Sequence, residues 1–167
     1  QNVAHGQALS FDDIDNVMNA QYMNENGEPM IVNLCLVDSG DQTDMVYDFC
    51  ATHSDYALPV KGSSHAQLSN YKLSKVNRPD SKAMGITLVL VDGGAYKDMI
   101  VGRMQRPNGR GSWMVYKGCD MEYATQVTAE HKVSVKRGNT TKQVWQTKTN
   151  HADNHYLDTE VYNAAAA

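Results

Sequence analysis

An α/β fold with a partly parallel sheet follows from three features of the chain. Met30 to Val37 is a nearly continuous apolar run, preceded by Gly27-Glu28-Pro29 and closed by Asp38-Ser39-Gly40, the pattern of a strand buried on both faces. Asp41 to Thr52 follows, with Met45, Val46, Phe49 and Cys50 on one helical stripe. Tyr56 to Val60 is then a short strand ending in Lys61-Gly62. Strand, loop, helix and strand make a βαβ unit, whose strands run parallel through a right-handed crossover.

The remaining elements follow in order. Ser10 to Tyr22 reads as a helix: Ser10 can cap it, Asp12 and Asp13 favour the dipole of its first turn, and Phe11, Ile14, Val17, Met18 and Tyr22 share a face. Asn24 to Pro29 is a turn, and the Met30 to Val37 strand is expected to be central. From Ser63 to Ala83 apolar periodicity disappears, so a long loop or irregular excursion is expected. Ile86 to Val91 is a second buried strand closing on Asp92-Gly93-Gly94. The helix after it sets Tyr96, Met99, Ile100 and Arg103 on or beside its apolar side. Trp113 to Tyr116 reads as a brief strand, Asp120 to Val133 as a helix, Asn139-Thr140-Thr141 as a turn, and Gln143 to Thr147 as a strand. A last helix runs from about Ala152 to the end.

Length and composition bound what this fold can do. A chain of 167 residues is one domain, residues 1–167, with a core burying about 70% of the unfolded surface. No apolar stretch approaches the roughly 18 residues that cross a bilayer, and no signal-peptide pattern is visible, so no membrane partner is expected. Cys35, Cys50 and Cys119 are an odd set without metal-binding spacing, which argues for incidental thiols in a reducing compartment and against zinc. The net charge of -4 gives no electrostatic reason to expect nucleic acid. That objection weakens if charge is segregated: Asp12, Asp13, Asp15, Asp41, Asp44 and Asp48 come early, whereas most lysines and arginines come after residue 70. The first residue is Gln1, and Ala164 to Ala167 end inside a helical pattern without a cap, so a piece of a longer protein is expected.

Several acids and histidines could carry chemistry. Asp38, at the carboxyl end of a strand, is either a turn residue and helix cap or a metal ligand in the crevice where open α/β sheets hold ligands. Asp158 lies between Leu157 and Val161 on the last helix, with Asn154 and His155 on the adjacent turn. A polar cluster beside an apolar face suits a helix laid over an active site, although a solvated acid would read the same way. Asp92 repeats the strand-Asp-Gly pattern and is read as a helix cap. The histidines at 5, 53, 65, 131, 151 and 155 lack metal-binding spacing; His155 stands out because it is one turn from Asp158. No phosphate-binding G-x-x-x-x-G-K-[ST] and no G-x-S-x-G elbow is present.

Leu36-Val37-Asp38-Ser39-Gly40, Val46-Tyr47-Asp48-Phe49-Cys50 and Pro59-Val60-Lys61-Gly62 are followed by Tyr96-Lys97-Asp98-Met99-Ile100-Val101-Gly102-Arg103-Met104. Gln126-Val127-Thr128-Ala129-Glu130 comes next, then Asn154-His155-x-x-Asp158-x-x-x-Tyr162-x-Ala164-Ala165. In this order and spacing they resemble the nuclease domain of the large terminase subunit of tailed bacteriophages, in its lambda-like branch. No segment alone is specific; the ordered set, spanning most of residues 30 to 167, is.

The resemblance implies an RNase H-like fold, a mixed central sheet with flanking helices. It implies a metal-dependent endonuclease that hydrolyses DNA phosphodiester bonds and cuts concatemeric viral DNA during genome packaging. Two divalent ions, Mg or Mn, would be held by Asp38 and Asp158, with His155 at the catalytic centre. Asn154 and Lys61 are implied to contact DNA. The expected partners are double-stranded DNA, the terminase ATPase domain, the small terminase subunit and the portal, and the expected location is the host cytoplasm during phage assembly. One departure stands out: the family's first carboxylate lies on an early strand in a Gly-Val-Asp-like segment, and residues 1 to 29 hold no strand ending in aspartate. Either the first strands precede this sequence, in which case the piece would bind metal poorly and cut weakly, or Asp41 or Asp12 stands in. Two alternatives remain beside this reading: another RNase H-like nuclease related to resolvases or integrases, and a non-catalytic module that docks DNA or the portal.

Overall fold

A computed structural model gives the fold for residues 10–63, 67–115 and 118–167. Helix α1 (Phe11–Met18) starts at Ser10, whose N–H and hydroxyl both donate to Asp13, closing the first turn. It ends before Tyr22, because Asn19 donates its amide back to the Asp15 carbonyl and carboxylate. Tyr22 instead opens β1 (Tyr22–Met23), which pairs antiparallel with β2 (Pro29–Met30).

The main sheet contains β3 (Cys35–Asp38), β4 (Ala57–Gly62), β5 (Tyr71–Lys75) and β6 (Thr87–Val91), in the order β3-β4-β6-β5. Helix α2 (Thr43–Thr52) links the parallel pair β3 and β4, so the expected βαβ unit is present. The parallel pairing continues from β4 to β6, and β5 joins antiparallel. The result is a mixed sheet with flanking helices.

Two expectations about this sheet are corrected. The strand expected to be central, Met30 to Val37, is confined to Cys35–Asp38 and lies at the sheet edge, while Ile31 is 78% exposed. Its apolar residues Val32, Leu34 and Leu36 line a cavity shared with α1 and the last helix, so their burial does not come from a second strand. The stretch expected to be a loop contains β5, an edge strand whose residues are mostly exposed. Lys72 and Lys75 on that edge discourage pairing with another chain, and their polarity hid the strand from a periodicity search.

Asp92 caps α3 (Gly93–Met104), accepting from Ala95 N–H at 3.1 Å, as the sequence predicts. Trp113 forms no strand; its ring stacks on Tyr123 with centroids 6.3 Å apart. Tyr116, the expected end of that strand, lies outside the described residues, as do His5 and His65. The helix expected over Asp120 to Val133 stops early, as α4 (Met121–Val127), and the chain turns into β7 (Glu130–Arg137). From Glu130 onward, β-branched Val133 and Val135 occupy alternate positions, and β7 pairs along the full length of β8 (Thr140–Thr147). The turn is Gly138-Asn139, with Gly138 at φ 59, where glycine carries no steric cost. Thr140 and Thr141, expected in the turn, belong to β8, which begins three residues earlier than the sequence suggests. Helix α5 (His155–Ala166) completes the fold.

Packing follows the alternation of side chains along the strands. On one face Val60, Val89 and Val91 meet Tyr96 and Ile100 of α3 and Val161 of α5. On the other, Ala57 and Val37 meet Val46, Phe49 and Cys50 of α2, with Phe11 and Ile14 of α1 beyond. Burial pushes the Cys50 thiol up to about 12, with Cys35 adding to the effect, and the three cysteines are free.

Ile100 is 2% exposed in the first cluster, so Ile100→Ala is expected to lower stability by about 3 kcal/mol. Ile31→Ala, at the exposed position, is expected to stay within about 0.5 kcal/mol. Urea denaturation of both variants checks the pair, and equal effects would contradict the assigned core.

Candidate active site

The site is built by three elements that meet at the carboxyl ends of β3, β4 and β6. At the end of β3, Ser39 is fully buried; its N–H and hydroxyl each donate to the Val60 carbonyl at 2.9 Å. That pins the turn to the neighbouring strand and leaves Asp38 pointing outward. Gly40 N–H donates to Asp38 Oδ1 at 2.8 Å, and a Cβ at Gly40 would sit 3.2 Å from the same oxygen. A side chain at position 40 would crowd that oxygen, and Asp38 would have to shift by a few tenths of an ångström to admit it. Asp38 does not cap α2, whose N-cap is Gln42; of its two expected structural roles, only the turn is present.

Along α5, Leu157 and Val161 are buried. Residues four apart share a helix side, so Asn154, Asp158 and Tyr162 form a polar stripe beside that apolar one. The Tyr162 hydroxyl lines the same cavity as Asp38 and Asp158, close enough to feel both charges. The Tyr162 hydroxyl is pushed well above the ordinary tyrosine range by burial first and then by the charges of Asp38 and Asp158.

Asp158 lies at the meeting of two cavities. One, of about 360 Å³, is also lined by Asp38, His155, Thr159 and Tyr162, with apolar walls from α1 and β3. The other, of about 600 Å³, lies under the β7–β8 hairpin and is lined by Lys97, Lys132, Lys142, Trp145, Asp158 and Tyr162, among others. The structure thus brings together Asp38, His155 and Asp158 at one cavity. Asn154 joins them through its amide, whereas Lys61 stands at the carboxyl end of β4 outside both linings. Asp41 and Asp12, the possible stand-ins, are outside both as well.

Sequence reasoning missed two residues, Lys97 and Glu130. The Lys97 ammonium is 2.8 Å from Glu130 Oε1 and 3.0 Å from Asp158 Oδ1, and the Lys97 and Glu130 side chains are only 12% and 6% exposed. The Asn154 amide donates to Glu130 Oε1 at 2.6 Å and to Asp158 Oδ2 at 3.3 Å. Both missed residues lay in the quoted segments. The available signal was a lysine set between Tyr96 and Ile100 on an apolar helix, and an acid immediately after Ala129.

Adjacent contacts fix this arrangement. Glu130 and Lys132 face the same side of β7, so they meet the successive residues Lys97 and Asp98 of α3. Lys132 reaches Asp98 at 2.6 Å, and Trp145 Nε1 donates to the same carboxylate at 3.0 Å. Helix α4 braces α5 from the far side, where Tyr123 donates to Glu160 at 2.6 Å and Tyr156 N–H donates to Gln126.

The electrostatics follow from crowding. Burial raises the Asp158 carboxyl above its ordinary 3.8; Lys97 opposes the rise, and Glu130 and Asp38 add to it. Burial alone would depress Lys97, but Asp158 and Glu130 together hold it above its ordinary 10.5. The lysine is therefore a fixed positive charge at neutral pH. The donors gathered here are carboxylate oxygens, which suit Mg or Mn better than zinc. Among the described residues no three His, Cys, Asp or Glu side chains stand close enough to hold one metal ion. Two carboxylates suffice for magnesium, whose shell is commonly completed by water and substrate phosphates.

The family model for the terminase large subunit gpA, endonuclease domain, matches residues 1–167. The chain belongs to this family. A role as a nuclease in DNA packaging, acting on DNA, comes with membership, and it separates the chain from the resolvase and integrase relatives considered from sequence. No curated protein and no solved structure matches it. In this domain an acid at a strand end, Asp38, and an acid on a late helix, Asp158, line one cavity.

Lys97 has a raised ionisation point, so its contribution to stability is complete below 10.5 and disappears as pH rises through the folded value. The stability difference between wild type and Lys97→Met is expected to stay constant from neutral pH to about pH 10 and to narrow above it. Chemical denaturation across that range checks this; a difference that widened with pH would contradict the assigned ion pairs.

Proposed function

We propose that this domain is a metal-dependent, RNase H-like endonuclease of the lambda-like terminase branch, which cuts concatemeric viral DNA as packaging begins and ends. The observation that carries the proposal is that Asp38 and Asp158, from opposite ends of the chain, line one cavity. Family membership supports the reaction class. The mixed sheet, with one acid at a strand end and another on a late helix, supports the RNase H-like comparison.

In this reading Asp38 and Asp158 hold Mg or Mn. Such an ion supplies activation of the attacking water and neutralises charge on the phosphodiester. The protein's own contribution is placement. Gly40 N–H orients Asp38, with the Tyr162 hydroxyl beside it; Lys97 and Asn154 orient Asp158 and shield it from Glu130. His155 stands at the cavity wall, placed to accept or return a proton near the scissile bond. Lys61 at the end of β4, with Lys132 and Lys142 in the hairpin cleft, offers positive charge to the DNA backbone despite the acidic whole. The resemblance implies two ions.

The partners in this proposal are double-stranded DNA, the translocating ATPase domain, the small subunit and the portal, in the host cytoplasm during assembly. Nicking of supercoiled plasmid in Mn tests the proposal. Asp38→Asn and Asp158→Asn are each expected to reduce it at least about 100-fold, and Tyr162→Phe, which only removes the hydroxyl beside Asp38, by about 10-fold. Lys61→Ala is expected to weaken DNA binding and lower the salt slope by about 1. Nicking that survives both aspartate substitutions would overturn the site. DNA or portal binding without any nicking would favour the docking module instead.

A further inference from the structure

Three carboxylates gather at this site, and one ammonium stands among them. Asp38 and Asp158 line the same cavity, while Glu130 is buried on the other side of Lys97. We propose that Lys97 occupies the second cation position of the site, so that the domain takes one divalent ion where the resemblance implies two. The inference rests on the endonuclease reading and goes beyond it by fixing the number of ions.

Charge is the first argument. Asp38, Glu130 and Asp158 with Lys97 leave two net negative charges, which a single divalent ion neutralises; a second would leave two net positive charges before substrate arrives. Geometry is the next. Lys97 Nζ stands 2.8 Å from Glu130 Oε1 and 3.0 Å from Asp158 Oδ1, so a cation already fills the space between these two carboxylates. A divalent ion requires oxygens at about 2.0 to 2.6 Å, so it could enter only by expelling the lysine. Expulsion is opposed on two sides. The Lys97 side chain is 12% exposed and rooted in α3, and the Asn154 amide bridges the same two carboxylates.

The ammonium does for this position what a bound ion does electrostatically. It is a preorganised positive charge, and preorganised charge needs no rearrangement when the substrate's charge develops. Unlike an ion it does not dissociate, so the site's dependence on metal concentration reduces to one binding event.

Calorimetric titration of the wild-type domain with manganese chloride, paired with manganese electron paramagnetic resonance, tests this. The wild type is expected to bind one ion, and Lys97→Arg, which keeps the cation, also one. Lys97→Gln is expected to bind two, and the added Glu130→Gln substitution to return the count to one. Two ions on the wild type would overturn the inference, whether or not Lys97→Gln folds, and so would a folded Lys97→Gln that still binds one. No manganese on the wild type overturns it as well. Two ions together with nicking that depends on Asp38 would remove this inference alone, whereas absence of nicking by the wild type would remove the endonuclease reading.

Discussion

The buried ammonium of Lys97, held between Glu130 and Asp158, is the interaction on which the arrangement of this domain depends. It ties three elements that are far apart in sequence: α3 supplies the lysine, β7 one carboxylate and α5 the other. Buried charges are tolerated only when paired and hydrogen-bonded, and here each partner needs the others. Without Lys97, the buried Glu130 would be left beside Asp158 with no cation between them. Without Glu130, the lysine would pair only with the more exposed Asp158, whose side chain is 41% exposed.

The site's geometry is a consequence of that constraint. The same docking of β7 on α3 brings Lys132 and Trp145 onto Asp98, which sets the hairpin over the cleft and places Lys142 in its wall. One turn further along the same side of α5, Tyr162 stands beside Asp38 in the shared cavity. Asp158 is therefore held by a cation beneath it, on a helix whose next turn brings Tyr162 to the same cavity as Asp38. An endonuclease reading draws its strength from this placement, because a carboxylate that must meet a phosphodiester needs a defined place more than it needs a large pocket.

Much of this was legible in the sequence, and the failures have physical causes. The βαβ unit, the Asp92 cap and the last helix were read correctly because each has a local signal: an apolar run, a cap residue, a period of 3.6. The Asp38–Asp158 meeting could be read only through the resemblance, since no local pattern joins residues 120 positions apart. Edge elements were misjudged. The strand ending in Asp38 looked central because its apolar side chains are numerous, yet they face a cavity beside α5, and β5 was missed because an exposed edge has no reason to alternate. The helix expected to reach Val133 conceals the most consequential error, because its true end at Val127 is what frees Glu130 to enter a strand. Lys97 and Glu130 went unnoticed for a related reason: a lysine or a glutamate on a predicted helix is by default a solvated face, and only tertiary contact turns it into a buried pair.

The central claim is that Lys97 and Glu130 act as one unit beneath Asp158. A double-mutant cycle with Lys97→Met and Glu130→Leu, measured by urea denaturation at neutral pH, addresses it directly. The expected coupling is about 2 kcal/mol or more, the double variant being far less destabilised than the sum of the singles. Additivity within about 0.5 kcal/mol would contradict it.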